Sequence, residues 1–188
     1  MLNSYKMNYL HLIIGPMFAG KSTELIRIAS RFQLLDKKII VINHNRDTRY
    51  GVKPALRTHD GKVFEPAIFL DELKEIYEEK YELEKIDIIF IDELQFFEDA
   101  YEVIIDLLEK GKTIIVSSLI GDFNKNIFGD MVKLIPHAEK ITKLNALCSI
   151  CKDGTEAFFS KRIISEQKQT LVGGSNAYIP VCRKHYRE

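Results

Sequence analysis

A chain of 188 residues can bury a core of its own, and the length suits one main domain with at most a small appendage. Lysine plus arginine and aspartate plus glutamate each count 27, so there is no cationic surplus to condense on a nucleic-acid backbone, and nucleic acid is not an expected partner. The apolar stretch near the start, Leu10 to Ile14 interrupted by His11, is too short for a signal peptide or a membrane span; no membrane partner is expected, and a cytoplasmic location is.

Tyr9 to Ile14 reads as a short strand that stops at Gly15-Pro16. After Ser22 the apolar residues Leu25, Ile28, Ala29, Phe32 and Leu35 recur at helical spacing. Between the two, Gly15, Pro16, Met17, Phe18, Ala19, Gly20, Lys21 and Ser22 fit the pattern GxxxxGK[ST] in the strand–loop–helix context that the motif requires. Such a loop aims backbone N–H groups and a helix N-terminus at the phosphates of a nucleoside triphosphate. Lys21 then reaches the β and γ groups, and Ser22 offers a hydroxyl to Mg²⁺.

Lys38 to Asn43, Ile86 to Ile91 and Lys112 to Leu119 are β-branched, mostly apolar runs, as strands covered on both faces tend to be. His44 to Pro66 has no clear period and reads as a long functional loop. Leu70 to Glu84 is charged and amphipathic, as a helix between strands would be. Asp99 to Lys110 predicts a further helix, ending at Gly111 where a C-cap glycine belongs. The alternation implies right-handed βαβ units and a mainly parallel α/β sheet flanked by helices, as in P-loop nucleoside triphosphatases.

A phosphate loop needs a carboxylate at the end of a neighbouring strand to hold Mg²⁺, and Asp92 after Ile88 to Ile91 supplies it. Glu93 would point differently, toward whatever attacks the γ-phosphate, where a general base belongs. An acidic pair at a strand end is equally an ordinary solvated cap, so this motif alone leaves the role of Glu93 open.

The three cysteines all follow residue 147. Cys148 and Cys151 have CxxC spacing, Cys182 and His185 CxxH, and together they make a closed tetrahedral set for a structural Zn²⁺ in a reducing compartment. His11, His44, His59 and His137 lack such spacing and read as strand, loop or surface residues. The texture changes at Asn145, which divides the chain into an α/β domain, 1–144, and a zinc-binding unit, 145–188. The stretch between the ligand pairs exceeds the roughly dozen residues of a compact finger and is long enough to close over a small molecule.

These parts together resemble the type II thymidine kinase family, the cytosolic deoxynucleoside kinases of many bacteria, animals and large DNA viruses. The resemblance runs from about Tyr9 to Arg187. It is carried by GPMFAGKST at Gly15 to Thr23, DTRY at Asp47 to Tyr50, THD at Thr58 to Asp60 and IDELQFF at Ile91 to Phe97. FNKNIFG at Phe123 to Gly129, CSIC at Cys148, GGSNAY at Gly173 to Tyr178 and VCRKH ending at His185 complete it.

The resemblance implies ATP and Mg²⁺ on the donor side and Glu93 as the base that takes the proton of the thymidine 5′-hydroxyl. Asp47, Thr48 and Arg49, with Asp92, Glu93, Leu94 and Gln95, match segments of the ATP and phosphate site. Phe123 and Phe128 match aromatics of the thymine pocket, with Met17, Phe96, Leu119 and Ser160 as neighbours. Gln169, Thr170, Leu171, Val172 and Gly173, with Tyr178, match a zinc-anchored lasso that reads the base through its backbone. Assembly as a homotetramer and feedback inhibition by thymidine triphosphate are implied in the same way. Composition alone would make Phe123 and Phe128 ordinary core residues.

Ile120-Gly121-Asp122 departs from the family pattern, in which an Asp commonly follows the leucine and a small or hydroxyl residue precedes the phenylalanine; Ser160 stands where Thr is frequent. Thymidine and deoxyuridine therefore both remain candidate acceptors. His185 replaces a cysteine found in some members, and both are good zinc ligands. Two other readings share parts of the pattern. A P-loop ATPase would use Glu93 on water. A zinc-ribbon module would use the basic run Arg183 to Arg187, against a net charge of zero.

Overall fold

The computed structural model describes residues 8–35, 37–47, 55–57, 63–166, 168–169 and 174–187. In chain order the elements are β1 (Tyr9–Ile14), α1 (Lys21–Phe32), β2 (Ile39–His44), β3 (Leu56–Arg57), β4 (Val63–Phe64), β5 (Ile68–Leu70), β6 (Ile88–Ile91), α2 (Ala100–Glu109) and β7 (Thr113–Ser118). There follow α3 (Met131–Leu134), β8 (Lys140–Lys143), β9 (Ala146–Leu147), β10 (Glu156–Ala157), β11 (Phe159–Arg162), β12 (Tyr178–Val181) and α4 (Arg183–Arg187). No helix among the described residues is long and apolar enough to cross a membrane.

Six strands form one sheet in the order β5-β2-β6-β7-β1-β8, every neighbouring pair parallel. The period-two alternation of strands sends their apolar residues to both faces. Leu10, Leu12 and Ile14 of β1 join Ile89, Ile91, Ile114 and Val116 in a core roofed by α2 and α3. Ile13, Phe90 and Ile115 face the other way, onto Leu25, Ile28 and Ala29 of α1. Helix α2 ends as expected, with Gly111 in the left-handed region at φ 82°. The edge strands β5 and β8 carry few residues each and have no distinct signal in the sequence.

The expected helix over Leu70 to Glu84 is instead a chain of 3₁₀ turns, Leu73–Tyr77, Glu79–Tyr81 and Leu83–Lys85. Leu73, Ile76, Tyr81, Leu83 and Ile86 all pack on the core under α2, yet they do not recur at one helical period. The chain resolves the conflict by breaking, with Glu78 extended and Glu82 left-handed. Asp99 anchors the first turn by accepting from the N–H groups of Leu73 and Lys74 at 2.9 and 2.8 Å.

Past residue 144 the chain forms small antiparallel pairs, β9 with β10 and β11 with β12. Ala146, Cys148, Ala157, Val181 and Cys182 make a separate small core there, and Phe18 and Ala19 from the phosphate loop pack against it.

Candidate active site

The loop between β1 and α1 takes its shape from its own backbone. Phe18 and Gly20 occupy the left-handed region, at φ 64° and 79°, which turns the chain sharply before the helix begins at Lys21. Gly15 admits no side chain, because a Cβ there would lie 2.5 Å from the carbonyl oxygen of Leu144. Lys21 is buried, and its Nζ donates to the carbonyl of Pro16 at 2.8 Å, so the ammonium is held over the loop. The N–H of Met17 donates to the hydroxyl of Ser160 on β11 at 2.9 Å. The loop is thereby fastened to the C-terminal unit through both a hydrogen bond and the packing of Phe18.

Asp92 and Glu93 follow β6, which is not beside β1 as the neighbouring-strand expectation had it. Strand β7 lies between them. Two strand spacings, roughly 9–10 Å, therefore separate the strand that carries Asp92 from the one that feeds the loop. Ser117 at the end of β7 bridges part of that gap by donating its hydroxyl to Asp92, which is only 1% exposed.

Glu93 adopts φ 54°, ψ 40°, a left-handed conformation that costs a residue with a Cβ about 1 kcal/mol or more. In that turn the Glu93 carboxylate meets Gln95, whose Nε2 donates to it. The Gln95 amide is itself oriented, since its Oε1 accepts from the Ser118 hydroxyl at 2.8 Å and from the Leu119 N–H at 3.1 Å. Asp47, three residues past β2, is buried and accepts from Asn43 Nδ2 at 2.9 Å.

Beside Gln95 opens a cleft of about 320 Å³, lined by Phe96, Phe128, Gly129, Gln169 and Arg46 among others. Phe96 and Phe128 meet edge to face at 5.8 Å between centroids. Gly129, at φ 68°, lets the 123–128 loop close on Gln95, where a Cβ would come within 2.6 Å of the Gln95 Cα. Asp122 organises that loop: its Oδ1 accepts from the N–H groups of Asn124 and Asn126 at 2.8 and 2.9 Å, and its Oδ2 accepts from Gln169 Nε2 at 3.0 Å. The aspartate that departs from the family pattern thus joins the aromatic loop to the segment reached by Gln169.

Cys148, Cys151, Cys182 and His185 converge so that their ligand atoms all lie within 4.8 Å of one another. Sγ of Cys151 and Cys182 are 3.8 Å apart, and His185 Nδ1 lies 3.3 to 3.5 Å from the three sulfurs. Tetrahedral bonds of about 2.3 Å to sulfur and 2.0 Å to nitrogen demand separations of this size, so the set fits zinc. Burial pushes the Cys148 thiol up, but backbone N–H groups of Cys151 and Cys182 together with His185 outweigh that and lower it.

The thymidine kinase family model matches residues 8–186. The chain belongs to the thymidine kinase family. It is 43% identical over 179 residues to the thymidine kinase of Myxoma virus (strain Uriarra), covering 94% of this chain and 95% of that one. Thymidine kinase 1 of Dictyostelium discoideum is 41% identical over 182 residues, covering 94% of this chain and 77% of its own. The thymidine kinase of Oryza sativa subsp. japonica is 40% identical over 183 residues, covering 94% of this chain and 65% of its own.

For this member of the thymidine kinase family, the fold brings Gln95, Phe96, Phe128 and Gln169 to one cleft. Ser160 stands against the phosphate loop, and Phe123 and Tyr178 meet around Arg162. Thr48, Arg49, Thr170, Leu171, Val172 and Gly173 lie outside the described residues, as do Tyr50 and the 58–60 segment. Sequence reading missed Ser117, Asn43, Gly129 and Arg162 as parts of the site. Gly129 closes the FNKNIFG run, where it could have been suspected; the others sit in strands and carry no local signal. His11 and His44 are buried members of β1 and β2. Burial lowers both pKa values, that of His11 to about 4.

Proposed function

We propose that this chain transfers the γ-phosphoryl group of ATP to the 5′-hydroxyl of thymidine. The observation that carries the reading is the position of Glu93. Its carboxylate is turned by a left-handed backbone toward Gln95, and Gln95 lines the aromatic cleft.

In the proposed reaction the loop N–H groups and Lys21 receive the ATP phosphates, Lys21 exchanging the Pro16 carbonyl for phosphate oxygens. The 5′-oxygen attacks the γ-phosphorus in line. Its O–H proton passes to Glu93 while the bond from the γ-phosphorus to the β,γ-bridging oxygen breaks, and ADP leaves with that electron pair. Mg²⁺, when bound, spreads the negative charge of the phosphates, and Ser22 and Asp92 are the residues to hold it. Asp47, Thr48 and Arg49 are assigned to the phosphate side by the family resemblance.

Thymine is assigned to the cleft of Phe96 and Phe128, with Phe123, Met17, Leu119, the lasso 169–173 and Tyr178 assigned to the same side by the family resemblance. Zn²⁺ on Cys148, Cys151, Cys182 and His185 holds the base of that lasso within a unit spanning 145–188. Deoxyuridine as a second acceptor, inhibition by thymidine triphosphate, a homotetramer and a cytoplasmic location complete the proposal. Their support is the resemblance, and for the last also the reduced cysteines. Purified protein with ATP and Mg²⁺ should release ADP far faster with thymidine than without it. Equal ATP turnover in both would replace the kinase reading by an ATPase.

A further inference from the structure

Arg162 ends β11, and nothing in its sequence surroundings marks it. Its guanidinium nevertheless gathers more of the acceptor side than any residue named above. Nη1 donates to the carbonyls of Glu166 and Lys168 at 2.8 and 2.6 Å, and Nη2 donates to the carbonyl of Gln169 at 3.2 Å and to the Tyr178 hydroxyl. Its Cζ lies 3.7 Å from the centroid of the Phe123 ring.

We infer that Arg162 is a positioning residue that sets Phe123, the Glu166, Lys168 and Gln169 carbonyls and Tyr178 as one unit, and so fixes nucleoside affinity. The inference deepens the acceptor-site reading proposed above and rests on it.

Strand geometry supports it. Residues two apart on a strand share a face, so Ser160 and Arg162 point the same way. Ser160 takes the Met17 N–H of the phosphate loop, and Arg162 takes the segment leading into the lasso. Strand β11 therefore joins the donor loop to the acceptor segment through adjacent side chains of one face. Tyr178 is the cross-strand partner of Arg162 in the β11–β12 pair, and Tyr186 secures the other side of Phe123 by donating to its carbonyl at 2.9 Å.

The chemistry requires arginine. A planar fork can serve several carbonyls at once while its face stacks on an aromatic ring, whereas a lysine ammonium is a point charge that does neither together. Among the described residues Arg162 Nε is buried with no hydrogen-bond partner.

The test uses full-length Arg162→Ala and Arg162→Lys, each checked for zinc content and thermal midpoint. Calorimetry should show thymidine affinity falling about tenfold or more in both, equivalent to roughly 1.4 kcal/mol, with ATP affinity within about twofold of the parent. Hydrogen exchange should quicken together in peptides covering 121–128 and 163–169 of both variants. Unchanged exchange overturns the clamp itself, and this arm needs no nucleoside. Quickened exchange with unchanged thymidine affinity overturns its role in binding. Full recovery in Arg162→Lys overturns the argument from the planar fork. Failure of the parent protein to bind thymidine would indict the acceptor reading instead. Should Arg162→Ala not fold, the lysine variant carries both readouts.

Discussion

The two halves of the site are built by different means. The phosphate loop is one continuous segment on a strand whose six residues are all buried, and its form is set by left-handed backbone at Phe18 and Gly20 and by close approach at Gly15. The acceptor side draws Phe96, Phe123, Phe128, Gln169 and Tyr178 from segments far apart in the chain. It is tied by side-chain hydrogen bonds that Asp122 accepts and Arg162 donates, those of Arg162 to Glu166 and Lys168 exposed. The loop half can therefore be written locally, while the half proposed to take the nucleoside rests on a few separable contacts.

Glu93 stands between the halves, and changing it should separate chemistry from binding most sharply. Glu93→Gln keeps the shape and the Gln95 contact but removes the proposed base. Turnover should fall by about a hundredfold or more while ATP and thymidine affinities stay near the parent values, as steady-state kinetics with calorimetry would show. Unchanged turnover would remove Glu93 from the mechanism.

Gly15→Ala attacks the donor half alone. A Cβ placed 2.5 Å from the Leu144 carbonyl must push the loop or β8 aside, with an expected loss of about 1–3 kcal/mol of stability and a greater loss of ATP than of thymidine affinity. Cys182→Ala attacks the acceptor half at its base. It should abolish zinc binding measured by atomic emission and raise the KM for thymidine more than that for ATP. Equal movement of both constants would mean that the zinc unit reaches the phosphate loop through Ser160 and Phe18 as strongly as it reaches the lasso.

Ser160→Ala tests that junction directly and more gently. Losing the acceptor for the Met17 N–H should cost about 1 kcal/mol in urea denaturation, with a modest rise in the KM for ATP.

Apart from the halves themselves, pH should act on the scaffold beneath them. Burial lowers His11 from its ordinary value to about 4, so between pH 6.5 and 4 the unfolded chain binds more protons than the folded one. Stability should therefore fall as pH drops through that window. Thermal midpoints recorded across it should decline, and His11→Gln should flatten the decline.

Much of this was legible in advance where the signal is local. The loop from Gly15 to Ser22, the run ending at Asp92-Glu93, the helix closing at Gly111 and the cysteine spacings each specify their own form, because the backbone conformation or ligand geometry involves neighbours in sequence. The region after Leu70 misled because its amphipathic charge pattern is real but its apolar residues do not keep one helical period, and packing against α2 won over propensity. Edge strands β5 and β8 escaped notice because they are short and half exposed.

By itself, then, the sequence determined the phosphate loop, the acidic pair, the Cys₃His set and the family to which the chain belongs. Tertiary structure alone decided that β7 stands between the strands of the loop and of Asp92, that Ser160 clasps Met17, and that Arg162 gathers Phe123, Tyr178 and the lasso stem. The reason is physical. A tight turn or a ligand pair is fixed by bonds a few residues apart, whereas strand order and the meeting of distant side chains follow from how the whole chain buries its apolar faces.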